Sequence, residues 1–151
     1  MNRTIVYLKI AFTIIAAGWL QIVILPSLWP LRVKPDLLLI VAVVLALRVG
    51  SYPRLIVLAF LCGLLKDVFS MRLFGFNALM FCVYGSLVYF LSRSLYKETP
   101  WLEFVFLSCA TLVHYCFLSL IFFCPYILIG LYEAVINCLF LSLAGRAYAR
   151  K

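Results

Sequence analysis

The sequence predicts an all-α integral membrane protein with six transmembrane helices, and three observations carry that prediction. Of its 151 residues 68% are hydrophobic and 12% charged, against about 25% charged in an average soluble domain. A soluble core of this size cannot hide so much apolar surface, whereas a bilayer solvates it. The apolar residues gather into six runs divided by charges. None of the runs shows the period-two alternation of a membrane barrel, so helices that satisfy their own backbone hydrogen bonds are the structure expected in lipid. Residues 1–151 therefore read as one polytopic membrane domain.

The runs are Ile10–Trp29, Leu37–Leu47, Leu55–Leu65, Leu73–Leu91, Trp101–Cys124 and Tyr126–Leu143. Arg3 and Lys9 before an apolar stretch with a small-residue step at Ala16-Ala17-Gly18 share features with a signal peptide. Apolar sequence continues to Leu28, which favours an uncleaved first span. Spans two and three are short. At about 1.5 Å per residue each covers about 17 Å of a hydrocarbon core about 30 Å thick. Extending them to Pro35–Val49 and Leu55–Phe69 reaches about 22 Å, which implies local thinning or a re-entrant pair of half-helices. Six spans and a four-span chain with one re-entrant hairpin both keep the two termini on one side.

Basic residues orient the chain. With the N-terminus inside, the inner segments carry Arg3, Lys9, Arg48, Arg54, Arg93, Lys97, Arg146, Arg150 and Lys151, and the outer ones Arg32, Lys34, Lys66 and Arg72. This bias places both termini in the cytoplasm. Tyr7, Tyr52, Tyr96, Trp101 and Tyr148 at inner ends, with Trp29 and Tyr126 at outer ends, form the expected aromatic belts. The connections between runs are short, so recognition is expected within or beside the membrane. The formal charge of +8 comes from scattered single residues, not a basic face, and predicts no nucleic-acid partner.

Polar residues at bilayer depth are costly and need a partner or a task. Asp36 follows Pro35 at the start of span two, where an acid favours a helix N-terminus. Glu103 follows Thr99 and Pro100 in the same way, with Thr99 as the expected cap. Lys66 lies where span three leaves the membrane and can snorkel to the headgroups. Asp67 cannot, and in a last helical turn it opposes the helix dipole; Lys66, Arg72 or the amide of Asn77 would compensate it. His114, Glu133 and Asn137 form a second cluster. The chain turns back at Pro125, which sets His114 opposite Asn137, and Glu133 lies four residues before Asn137 on one face. Either a satisfied interhelical contact or a ligand or proton site fits these three, with Gln21 and Trp19 of span one as further lining.

The chemistry available is limited. The six cysteines lie inside apolar runs without Cys-x-x-Cys spacing, and with one histidine they read as small buried apolar residues, not metal ligands. There is no Gly-x-Ser-x-Gly and no phosphate-binding glycine loop, so neither an enzyme nor a cofactor is predicted.

Three stretches in order, PDLLLI (Pro35–Ile40), GLLKD (Gly63–Asp67) and GFNAL (Gly75–Leu79), resemble the rod shape-determining protein MreD family of bacteria. Lys66 stands where such proteins usually carry an apolar residue, and SMRLF (Ser70–Phe74) replaces a turn richer in Gly and Pro. The resemblance implies a multi-pass inner-membrane, non-enzymatic scaffold of the elongation machinery. It implies binding to MreC and, through it, a link to the MreB filament, RodA and its penicillin-binding transpeptidase. It also implies a fold similar to the six-helix substrate-binding components of energy-coupling-factor transporters. Pro35, Asp36, Gly63, Asp67, Gly75 and Asn77 would then order the junctions of spans two, three and four, either as a partner surface or within a stable monomer. Self-association stays open on this reading. The alternative function is a transporter's small-molecule binding component with Gln21, His114, Glu133 and Asn137 lining a pocket. A third is a proton-coupled exporter using Glu133.

Overall fold

The computed structural model describes residues 3–28, 34–70, 74–94, 101–122 and 127–149, and all its regular structure is helical. Six helices follow one another. Helix α1 runs as α-helix Arg3–Trp19, a π-helical stretch Leu20–Ile24 and a last α turn Leu25–Leu28. Then come α2 (Leu37–Arg48), α3 (Tyr52–Ser70), α4 (Phe76–Ser94), α5 (Trp101–Phe122) and α6 (Ile127–Ala149). The π stretch has a local cause. Pro26 has no N–H to donate to the carbonyl of Ile22, so the ladder just upstream widens, and Leu25 N–H bonds back to Leu20.

Helix α2 is the centre of the bundle. It touches α1, α3, α4, α5 and α6, and Leu38, Leu39, Ile40, Ala42, Val43 and Ala46 are all buried. A helix apolar on every side is one surrounded on every side. Its 12 residues span about 18 Å, short as expected, and because its flanks meet helices, not lipid, its length need not match the bilayer. Helix α3 corrects the other half of that expectation. It begins after Ser51, whose carbonyl accepts from Leu55 N–H, takes Pro53 in its first turn and continues through Lys66 and Asp67 to Ser70. Its 19 residues give about 28 Å, so this helix is longer than the run Leu55–Leu65 implies.

The distribution of side chains is that of a protein in lipid. Phe12, Val57, Leu79, Leu87, Leu120 and Leu128 face outward, whereas Asp36, Asp67, Asn77, Thr111, His114 and Glu133 are buried with Asn137. Helix α4 and Trp101–Ile121 of α5 are long and apolar enough to cross a membrane. The cysteines follow the outward surface more than expected: Cys62 is buried, but Cys109 and Cys116 are exposed on the apolar exterior. A thiol is small and apolar enough for lipid contact, so hydrophobicity alone did not decide which side it took.

Glycine sets the closest approach. A Cβ on Gly63 would lie 2.4 Å from Ala78 Cα and 2.5 Å from the Asn77 carbonyl oxygen. Only glycine lets the end of α3 rest directly on the start of α4. Gly75, at φ +90°, makes the turn into α4 in a conformation that other residues rarely adopt. At the opposite end of the bundle, α4 holds the α2–α3 connection. Tyr89 hydroxyl and Arg93 guanidinium both donate to the Gly50 carbonyl, at 3.3 and 2.9 Å, and Arg93 stacks 4.1 Å over the Tyr89 ring.

The expected cap Thr99, the expected counter-charge Arg72, Cys124 and the belt residues Trp29, Tyr96 and Tyr126 lie outside the described residues.

Candidate functional site

Two helix starts must hide their amides at depth, and the sequence provides carboxylates for both. At α2 the Asp36 side chain accepts from Leu39 N–H at 3.2 Å, the ordinary N-cap bond. Gln21 then closes the site from α1. Its Oε1 accepts from Leu38 N–H at 3.1 Å, and its Nε2 donates to Asp36 Oδ1 at 3.2 Å. From α6, Asn137 Oδ1 accepts from Asp36 N–H at 2.8 Å, while its amide donates to Thr111 Oγ1 of α5 at 3.2 Å. Three of the first amides of α2 are thus satisfied without water, as lipid requires.

Helix α4 is capped from another helix. Its start carries Gly75, which has no side chain to accept from the first turn. Asp67, on the last turn of α3, accepts from Asn77 N–H and Ala78 N–H at 3.0 Å each and from the Asn77 side-chain amide at 2.7 Å. Gly63 and Asp67 lie one turn apart on one face of α3. The first permits the approach and the second uses it. Of the three compensating partners expected for Asp67, Asn77 is the one observed, and the carboxylate that opposes the dipole of α3 favours that of α4.

Lys66 requires a correction. It does not simply reach for headgroups but pairs with Asp36 Oδ2, at 18% side-chain exposure, with its ammonium also 5.3 Å from the Phe81 ring centroid. A cation beside a buried acid gains more than a snorkelling one, because the surrounding dielectric is low. The cap of α2 and the end of α3 are thereby tied together.

Both sequence clusters open onto one cavity of about 480 Å³. Gln21, Asp36, Lys66, Asn77, His114 and Glu133 all line it, together with Pro35, Lys34 and Tyr115. All come from the end of the bundle remote from Gly50. Asn137 is fully buried just behind, holding Asp36. Thr111 meets Asn137, and Glu133 accepts from the Tyr115 hydroxyl one turn away. His114 packs among aromatic rings, 6.0 Å from Phe76 and 6.3 Å from Tyr84 between centroids. Trp19 does not line this interior; it is 60% exposed on the lipid-facing side. Thr111 and Tyr115 were missed by the sequence reading, yet their spacing carried a signal: i and i+4 on α5 oppose i+4 and i on α6. Among the described residues no group of three His, Cys, Asp or Glu could hold a metal.

The profile of the rod shape-determining protein MreD family matches residues 1–144. The chain belongs to that family. The match includes all three motifs, and their residues have structural work: Asp36 and Asp67 cap α2 and α4, Gly63 lets α3 approach α4, and Gly75 makes the turn. Family membership assigns a role in rod-shape determination and a place in a membrane. Searches of curated proteins and of solved structures returned no match.

Proposed function

We propose that this chain is a non-enzymatic scaffold of the bacterial cell-elongation complex. It crosses the inner membrane six times with both termini in the cytoplasm, binds MreC, and links the MreB cytoskeleton to peptidoglycan synthesis by RodA and its penicillin-binding transpeptidase. The family match over residues 1–144 carries this reading. The geometry supports it physically. Asp36, Lys66, Asp67, Asn77 and Asn137 turn inward and are satisfied by one another or by backbone amides, which leaves outer walls such as Val105, Leu120, Leu128 and Val135 free for lateral contact with a partner's transmembrane helix. In lipid such contact comes from packing, so a rigid wall suits it.

The test is affinity capture of the tagged protein from native membranes in mild detergent. Recovery of MreC with wall-synthesis proteins, and loss of rod shape on depletion without an uptake defect, are the expected results. Recovery of a transporter ATPase and its coupling subunit would overturn the reading.

The cavity favours a second reading. A polar-lined space of this size lies within the usual range for small-molecule sites and suits a transporter's substrate-binding component, on a fold like that of energy-coupling-factor systems. A metabolite co-purifying in stoichiometric amount would support it.

A further inference from the structure

We infer that the cavity takes a small zwitterionic group, an ammonium joined to a phosphate or carboxylate, supplied either by a lipid headgroup or by a free molecule. The inference rests on reading the cavity as a ligand site and adds the class of ligand.

The structural network leaves a specific remainder. Asp36 is fully engaged by Lys66, Gln21 and Leu39. Asn77 gives its amide to Asp67. Glu133 is different. It is 7% exposed, lines the cavity, and has one oxygen committed to Tyr115. Among the described residues its other oxygen has no donor. A buried carboxylate with half its acceptor capacity open favours an ammonium, which brings both charge and hydrogen.

The same cavity also carries cations. Lys34, half-buried on the cavity wall, has no anionic partner among the described residues. Lys66 has three N–H donors, and among the described residues Asp36 is its hydrogen-bond acceptor. Two ammonium groups with spare donors fit a phosphate or carboxylate. Phe69, Phe76 and Leu118 also line the cavity, and apolar walls beside the charges strengthen such contacts. A purely anionic ligand would leave Glu133 facing like charge, and a purely cationic one would face Lys34 and Lys66. A ligand carrying both signs serves both kinds of lining group.

The experiment uses the full chain in detergent and in nanodiscs, with native mass spectrometry to measure retained lipid. The probes are phosphatidylethanolamine, phosphatidylcholine, whose methylated amine cannot donate, phosphatidylglycerol, which has no amine, and soluble phosphoethanolamine. Phosphatidylethanolamine is expected to be retained at least about tenfold over the other two lipids. Glu133→Gln and Lys34→Gln should each abolish that preference, while Cys109→Ala on the exterior keeps it. Should Glu133→Gln fail to fold, Lys34→Gln carries the test. Thermal stabilisation by phosphoethanolamine in the absence of lipid would identify the free molecule as a source; its absence, with the lipid preference intact, would identify the headgroup. Retention of phosphatidylglycerol above phosphatidylethanolamine, lost in Lys34→Gln, keeps the cavity as a site but overturns the zwitterion. Equal retention of all three lipids, unmoved by either variant and without a response to phosphoethanolamine, overturns both.

Discussion

Asp67 accepts from both the backbone and the side-chain amide of Asn77, at 3.0 and 2.7 Å, across a ten-residue separation. The pair turns two helix ends into one unit. The carboxylate that ends α3 is the cap of α4, so neither helix can tilt without exposing amides that lipid cannot satisfy. Because Gly63 sits directly beneath, the contact is made backbone to backbone.

Removing that cap has a defined cost. Asp67→Ala leaves three donors unsatisfied, and the protein should lose about 2–3 kcal/mol of stability, read by thermal or denaturant unfolding in detergent. Asp67→Asn retains one acceptor oxygen and should recover part of this. Equal stability of Ala and wild type would remove the trans-cap.

Gly63→Ala attacks the same unit from the other side. A methyl group at 2.4 Å from backbone cannot be absorbed by rotating a side chain, so α3 and α4 must separate, at about 2–4 kcal/mol. Since separation also breaks the Asp67 bonds, Gly63→Ala and Asp67→Ala should be markedly less than additive in a double-mutant cycle. Additive losses would mean that the approach and the cap are independent.

The order of helices was legible in the sequence because apolar runs and charges mark lipid depth directly. The length of α3 was not. Reading from charge to charge cut it at Arg54 and Lys66, yet a helix tolerates an arginine exposed in its first turn and a lysine neutralised by Asp36. A pocket lined by Gln21, His114, Glu133 and Asn137 was among the readings of the sequence, but that Asp36, Asn77 and Lys66 share one cavity with the first three was not legible. Asp36, Asp67, Asn77, His114, Glu133 and Gln21 could each be named, whereas rotation about the helix axes, which brings five of them and Lys66 onto one cavity, has no signature in hydropathy. A helix whose lipid-facing and packed sides are both apolar carries little of that information in its sequence. Tyr115 and Thr111 were passed over because a hydroxyl costs little in an apolar run and therefore draws no notice.

Lys66 and Asp36 should behave as a pair. Lys66→Met leaves a buried carboxylate uncompensated and should cost about 3 kcal/mol. Asp36→Asn with Lys66→Met keeps an N-cap of similar shape and removes both charges, so the double variant should be closer to wild type than Lys66→Met alone. Thermal unfolding of the single and double variants decides it; a double variant worse than the single would show that the charge itself, not its pairing, is needed.

Partner capture separates framework from cavity. If MreC meets a wall whose shape depends on the α3–α4 unit, Asp67→Ala should reduce MreC recovered from native membranes several-fold while the protein stays inserted, because insertion depends on hydrophobicity and not on the cap. Glu133→Gln should be milder. It keeps an acceptor for Tyr115 and changes the interior of the cavity, leaving the junction of α3 and α4 intact. Quantitative capture of both variants against wild type, normalised to protein in the membrane fraction, gives the ranking. Full capture by Asp67→Ala would detach the partner surface from this junction, and a larger loss from Glu133→Gln would move it to the α5–α6 side of the bundle.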